Sequence, residues 1–195
     1  CRRPFVRIGS GATESMARAA PSVWPISDLV GVMSGNSPGP RCNASAQQAT
    51  SRGSAAVAVR WPLMACTSAG IAPAEVQAIS GHLTATAADP REVACWAEAL
   101  QRGPGDFPLI TSTKSLIGHT LGAAGAIESV AALLMLQNGF VHASRNCEDL
   151  HPEIAPYADS VPHELHKAPE LRLLMKAGFG FGDVNAALVL QKWED

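Results

Sequence analysis

From Leu121 onward, residues 121–138 are apolar on nearly every side, with Glu128 and Ser129 as the main exceptions. The spacing predicts a helix over residues 118–138, closed by Gly139 and with a partner on each face. A second helix is expected over the Ala-rich residues 44–69. Pro62 should kink or interrupt it, because proline removes a backbone donor and crowds the preceding turn. Gly70 should terminate it. A third helix opens near Asp89, read as the N-cap, with Pro90 at the first helical position and Glu92 two residues on, and runs to about Arg102. Short apolar or alternating runs at residues 28–33, 74–80 and 107–111 read as strands. Residues 140–170 form a long connection with short pieces, and the end of the chain reads as two strands joined by Gly-rich turns. Residues 1–25 show no sustained period. Strands alternating with helices and finishing in a strand pair imply a layered α/β architecture.

The 195 residues suffice for one domain with a sizeable core. Charged residues make up 16% of the chain, against about 25% in soluble domains. That deficit suggests a chain that buries much of its surface, in part against another chain. The net charge of -2 with no basic face argues against nucleic acid as a partner. The longest uninterrupted apolar run, residues 130–136, is too short to span a bilayer, and no secretory signal is evident. Five scattered cysteines without a C-x-x-C spacing indicate neither a zinc site nor a disulfide framework, so reduced thiols are expected. Residue 1 is Cys, which suggests a fragment or a processed product.

The candidate chemistry lies in three places. His82 sits at a strand-to-loop junction in Ser80-Gly81-His82-Leu83-Thr84-Ala85-Thr86, and strand ends in α/β folds commonly carry sites. Lys114 and His119 lie five residues apart in Ser112-Thr113-Lys114-Ser115-Leu116-Ile117-Gly118-His119. His119 is placed at the helix entrance, where about half a positive charge disfavours imidazolium. Phe179 and Phe181 flank Gly180 in a turn that feeds the last strand. Three other patterns are set aside. Gly35-Asn36-Ser37-Pro38-Gly39 imitates a nucleophile elbow, but Pro38 has no N–H for an oxyanion hole. His163 and His166 lack a third ligand. Asn43-Ala44-Ser45 is a glycosylation sequon in letters only.

Taken in order, His82, the Lys114–His119 segment and the Phe179–Gly182 turn resemble the β-ketoacyl synthases of fatty-acid biosynthesis, which have the thiolase-like fold. The resemblance is good from about Val76 to Leu190, patchy over residues 28–70 and poor before that. It implies the C-terminal half of a layered α-β-α-β-α structure, with a mixed sheet and a buried central helix. Residues 1–25 would be an irregular segment, and residues 26–195 the synthase C-terminal domain. The family motif Asn-Ala-His-Gly-Thr-Ser-Thr is met by His82, Thr84 and Thr86, but Leu83 replaces Gly and Ala85 replaces Ser. Asp89 and Glu92 stand for the family's acidic pair. Lys176-Ala177 stand where Asn-Ser is usual before the turn, and Asp183 where a second glycine is usual.

The implied reaction is decarboxylative Claisen condensation of malonyl-acyl carrier protein with an acyl thioester. The resemblance assigns His82 and His119 to hydrogen-bonding of the malonyl thioester carbonyl. A neutral imidazole can donate that bond without delivering a proton, as stabilising an enolate requires. Lys114 would tune the electrostatics, Thr84 and Thr86 would line the phosphopantetheine tunnel, and Phe181, beside Phe179, would gate the acyl pocket. No cofactor or metal is implied beyond the phosphopantetheine of the acyl carrier protein. The implied partners are acyl carrier protein and a second copy of the full-length enzyme, in the cytoplasm, a plastid or a mitochondrion. The family's nucleophilic cysteine lies far upstream of the first histidine. Cys66 imitates its motif in letters, but it stands only 16 residues before His82 and is read as a helix-face thiol. The chain is therefore expected to lack the nucleophile. It is either a fragment of a fatty-acid or polyketide ketosynthase, or a non-catalytic partner that shapes an active synthase's pocket.

Overall fold

The computed structural model describes residues 6–9, 52–180 and 185–192. The strand expected at residues 28–33, the irregular segment 1–25, the Gly35–Gly39 pattern, Asn43, Cys1, Cys42 and Phe181 lie outside the described residues.

The main sheet has five strands among the described residues. They are β1 (Val6–Gly9), β2 (Ala78–Ser80), β3 (Leu109–Thr111), β6 (Leu173–Phe179) and β7 (Asn185–Lys192), in the spatial order β1-β7-β6-β2-β3. β6 and β7 form the expected antiparallel pair, whereas β2 lies parallel to both β6 and β3. The sheet is therefore mixed. Its parallel half needs helical crossovers, and these cover both faces. β4 (Phe140–Val141) and β5 (His166–Lys167) make a separate antiparallel ribbon within the long connection.

Alternate side chains on each strand divide the core. Ile79, Met175 and Val189 face α1 (Arg52–Ala69) and α2 (Asp89–Leu100), where Trp96 and Leu100 are fully buried. Ala78, Leu174 and Leu190 face α4 (Ala124–Asn138), packed on Met135 and Leu136. The period-2 pattern of the strands thus sends one apolar set to each layer.

Several elements depart from expectation. α1 runs unbroken across Pro62, because its packing on α2 and β7 outweighs the local cost of proline. Gly70 does end it, at φ +68. Only Ala78–Ser80 of the run 74–80 is strand, since Pro73 opens a 3-10 turn over Pro73–Glu75. α2 begins at Asp89 with Ala88 as its N-cap, leaving Asp89 free for another role, and it ends at Leu100.

The predicted helix over 118–138 starts later than expected. A short α3 (Lys114–Ile117) ends at Gly118, at φ +79, a 3-10 turn covers Leu121–Ala123, and α4 begins only at Ala124. Gly139 closes α4 as expected, at φ +66. A Cβ there would sit 2.9 Å from Pro169 Cα, so both the φ value and the close approach require glycine.

α4 is also less enclosed than expected. One face, carrying Ala124, Glu128, Ala132, Met135 and Leu136, is buried against the sheet. The other exposes Ile127, Val130 and Leu134, continuous in sequence with exposed Leu116, Ile117 and Leu121. The described residues supply a partner for one side only. By length and composition Leu121–Asn138 would also pass for a membrane span, which the uninterrupted apolar run did not suggest, but its inner face is docked on β6 and β7.

Exposed apolar residues in one stretch are uncommon on soluble monomers. The chain should bind a hydrophobic dye and self-associate in sedimentation. Val130→Glu with Leu134→Lys should lower both signals at unchanged helical circular dichroism. A dye-silent monomer of the parent chain would contradict this account of the α4 face.

Candidate functional site

The site forms where β2 and β3 end and the segment before α4 crosses them. After Ser80 the chain leaves the sheet through Gly81, whose N–H donates to Thr111 O at 3.0 Å. The next five residues are held by carboxylates from the first turn of α2. Glu92 accepts the N–H of His82 at 2.7 Å and that of Leu83 at 2.8 Å, and the Trp96 indole donates to it at 3.3 Å. Asp89 accepts the N–H groups of Thr84, Ala85 and Thr86 at 3.1, 3.0 and 3.3 Å. Both acids lie at a helix N-terminus, which favours negative charge. Burial pushes the Glu92 carboxyl up, with the bonds from Leu83, His82 and Trp96 pulling the other way.

These bonds hold a backbone that side chains resist. Leu83 has φ +23 and Ala85 φ +57. Left-handed backbone costs a non-glycine residue about 1–2 kcal/mol. Thr84 and Thr86 share a hydrogen bond between their hydroxyls at 3.1 Å, with Thr84 half-buried and Thr86 exposed.

The second strand end is tied to the first. Ser112 Oγ donates to Leu83 O at 3.0 Å. Lys114, buried at the start of α3, donates through Nζ to the carbonyl of His82 and to Glu128 of α4. Lys176 of β6 occupies the other oxygen of Glu128 at 2.9 Å. Behind this turn, His142 bridges Thr111 Oγ1 at 3.0 Å and Thr113 Oγ1 at 2.9 Å.

His82 and His119 converge, with ring centroids 5.7 Å apart and planes at 83°. Phe179 meets His82 edge-on from the third side, also at 5.7 Å. His119 does not stand at the α4 N-terminus, because Thr120 and the 3-10 turn Leu121–Ala123 separate it from Ala124. The helix-terminus argument for its charge therefore does not apply. Its Nδ1 instead accepts the Leu121 N–H at 3.0 Å, which leaves Nε2 of the neutral ring as the donor.

The His82 imidazole is held well below its ordinary range, at about 4. Burial is the largest cause, followed by Lys114; Lys176 and His119 act in the same direction and Glu128 opposes them. At neutral pH His82 is thus an uncharged imidazole. The pair can direct N–H donors at an oxygen on which negative charge develops.

The structure brings His82, Lys114, His119 and Phe179 together, with Thr84 and Thr86 on the adjoining loop. Cys66 is a buried thiol on α1, 3.5 Å from Met175 Sδ in the opposite layer, and burial pushes it up to about 11. Cys95 is buried on α2, and Cys147 lies in the long connection. His163 and His166 are exposed. Among the described residues no group of three or more His, Cys, Asp or Glu could hold a metal. Sequence reasoning left out Glu128 as a site residue. A lone carboxylate in an apolar helix was the available signal, since a buried charge requires a partner. His142 gave no comparable signal, because nothing local ties it to Thr111.

Residues 39–148 match the family described as Beta-ketoacyl synthase, C-terminal domain. The 3-oxoacyl-acyl-carrier-protein synthase 2 of Rhizobium meliloti (strain 1021) is 35% identical over 139 residues, 70% of this chain and 31% of that protein. The matched region thus spans about a third of that relative's length. Among solved structures, a type II PKS acyl-carrier protein in complex with its ketosynthase bound to the hexaketide superposes with TM-score 0.62. The identity is 28%, over 70% of this chain and 33% of that one. The ishigamide ketosynthase/chain length factor gives TM-score 0.60 at 29% identity, over 66% and 31% of the two chains.

Because the His82 value lies below that of the unfolded chain, the unfolded chain holds more protons between about pH 4 and 6.5. The His82 contribution to stability is therefore lost as pH falls through that window. Urea midpoints at pH 4.5 and 7 should differ less in His82→Gln than in the parent, and NMR titration of the imidazole should place its midpoint near 4. Glu92→Ala should cost about 3 kcal/mol in urea unfolding, since it leaves buried donors unpaired. It should also broaden the amide signals of His82 and Leu83.

Proposed function

The chain belongs to the β-ketoacyl synthase family through its C-terminal domain, and on that premise we propose that it carries the decarboxylation half-site of an acyl-carrier-protein-dependent condensing enzyme of fatty-acid synthesis. The observation behind this reading is the convergence of His82 and His119 beside Phe179. In the proposed reaction, the malonyl thioester carbonyl accepts hydrogen bonds from both imidazoles. The bond to the carboxylate breaks, carbon dioxide leaves, and the electron pair enters an enolate whose oxygen the two N–H groups stabilise. The enolate carbon then attacks the carbonyl of an acyl thioester on cysteine, and the thiolate departs. A neutral His82 suits the first step, because a cationic ring would protonate the carbanion.

Lys114 sets the field and fixes the His82 carbonyl. Thr84 and Thr86 are positioned beside the histidine to meet the phosphopantetheine arm, and no further cofactor is proposed. Phe181, outside the described residues, is assigned the gate, with Phe179 packing on His82. Acyl carrier protein is the proposed partner and a homodimer of the longer enzyme the proposed assembly. Cytoplasm or an organelle such as the plastid is the proposed location. Residues 26–195 are taken as the domain.

A second reading follows from the cysteines. Among the described residues, Cys66 and Cys95 are sealed in the core and Cys147 lies in the long connection. We take the acyl-accepting thiol to come from outside the described residues. That favours either a fragment of a fatty-acid or polyketide ketosynthase, or a partner subunit that shapes the pocket of an active synthase.

The test is malonyl-carrier decarboxylation by the chain, with and without an acyl primer, together with mass spectrometry. We expect no acyl adduct after incubation with acyl-carrier protein, and carbon dioxide release that drops about a hundredfold or more in His82→Ala, the usual scale for losing one transition-state donor. A stoichiometric thioester on Cys66 would overturn the reading of the cysteines. Unchanged decarboxylation in His82→Ala would overturn the role of the histidines.

A further inference from the structure

Lys176 has no part in the reaction as written. It is only 4% exposed and stands on β6 between Leu174 and the turn, on the sheet face that α4 covers. Desolvating an ammonium is costly, and an apolar side chain of similar size would fill that layer without the cost. The surroundings are nonetheless shaped to it. A Cβ on Gly178 would lie 2.9 Å from Lys176 Nζ, and one on Gly125 of α4 would lie at 4.0 Å. Ser80, its register partner on β2, keeps a buried hydroxyl with no hydrogen-bond partner.

Glu128 is shared between Lys176 and Lys114. Two ammonium groups on one carboxylate leave one net positive charge in the core. Lys114 in turn donates to the carbonyl of His82.

We infer that Lys176 is a positioning residue for the reaction centre: through Glu128 it holds Lys114 against His82, and it makes the buried cluster beneath the imidazole cationic instead of neutral. The inference deepens the proposed function and rests on it for its purpose, although not for its test. The charged and titratable groups around His82 are Lys114 from α3, Glu128 from α4, Lys176 from β6, His119 from the segment before α4, and Glu92 from α2 on its backbone N–H. With one lysine on Glu128 the cluster would sum to zero and oppose His82 protonation little. With two it carries a positive charge that opposes protonation in a poorly screened interior. Added to burial, the larger cause, this charge keeps His82 a neutral donor well into the acidic range.

The experiment is NMR titration of the His82 imidazole in the full chain, without substrate or carrier. Three forms are compared: the parent, Lys176→Met, and Lys176→Met combined with Glu128→Gln. The net cluster charge in these is positive, zero and positive again. The midpoint should rise in Lys176→Met by about one unit, a tenfold change in proton affinity. It should fall back towards the parent value in the double variant, and Lys176→Arg should behave as the parent. A purely structural lysine predicts no recovery in the double variant. If Lys176→Met does not fold, Glu128→Gln with and without Lys176→Met carries the same test, and the midpoint must rise when Lys176 is removed. An unchanged midpoint on removing Lys176, or a midpoint that stays raised in the double variant, overturns the inference. Since no turnover is measured, failure here leaves the proposed function standing, and failure of decarboxylation leaves this result standing.

Discussion

The carboxylate of Glu128 is the group on which the site depends. It is buried to 2% exposure in an otherwise apolar helix layer, where an unpaired charge would be untenable. Its two oxygens are met by Lys114 and Lys176, which come from different parts of the chain. Those contacts fix the rotation of α4 against the sheet and join α3 to β6. They also place an ammonium on the carbonyl of the residue that carries the central imidazole. Removing one partner of such a pair typically costs about 3–5 kcal/mol. The electrostatics of the site and the docking of its helix are therefore one feature.

A second set of carboxylates does for the backbone what Glu128 does for the side chains. Asp89 and Glu92 accept the N–H groups of five consecutive loop residues, His82 to Thr86. They belong to the first turn of α2, so the helix end and the loop stabilise each other. The clamp explains how Leu83 and Ala85 can hold left-handed backbone. It also explains why His82 projects in a defined direction although it lies in no regular element.

Burial and the ammonium groups of Lys114 and Lys176 act on His82 in the same sense, against Glu128, and together keep the ring uncharged. His119 reaches a comparable donor role by another route. A backbone N–H occupies Nδ1 and leaves Nε2 to donate. Two imidazoles at 5.7 Å, oriented by independent local causes, form a preorganised pair of donors. The apolar outer face of α4 begins directly beyond this pair, so the surface that calls for a partner and the chemistry lie on the same element.

Much of this was written in local sequence. The His82 loop, the Lys114–His119 segment and the Phe179 turn were legible as motifs because each needs particular residues in fixed order on one short stretch. The β6–β7 pair, the Gly70 and Gly139 stops and the Cys66 helix were legible because they follow from periodicity and from backbone conformations that glycine tolerates. Tertiary structure alone decided the rest. Pro62 stays inside α1 because packing on α2 and β7 outweighs its local cost. Asp89, which looks like a cap, serves the loop, since three N–H groups lie within its reach only after folding. The helix read over 118–138 starts only at Ala124, after a 3-10 turn, and this moves His119 from a helix end to the segment before that turn. Glu128 and Lys176 stand 48 residues apart, and nothing local says that one needs the other. Their pairing is set by the burial of charge, a property of the assembled layers that no short stretch of sequence contains.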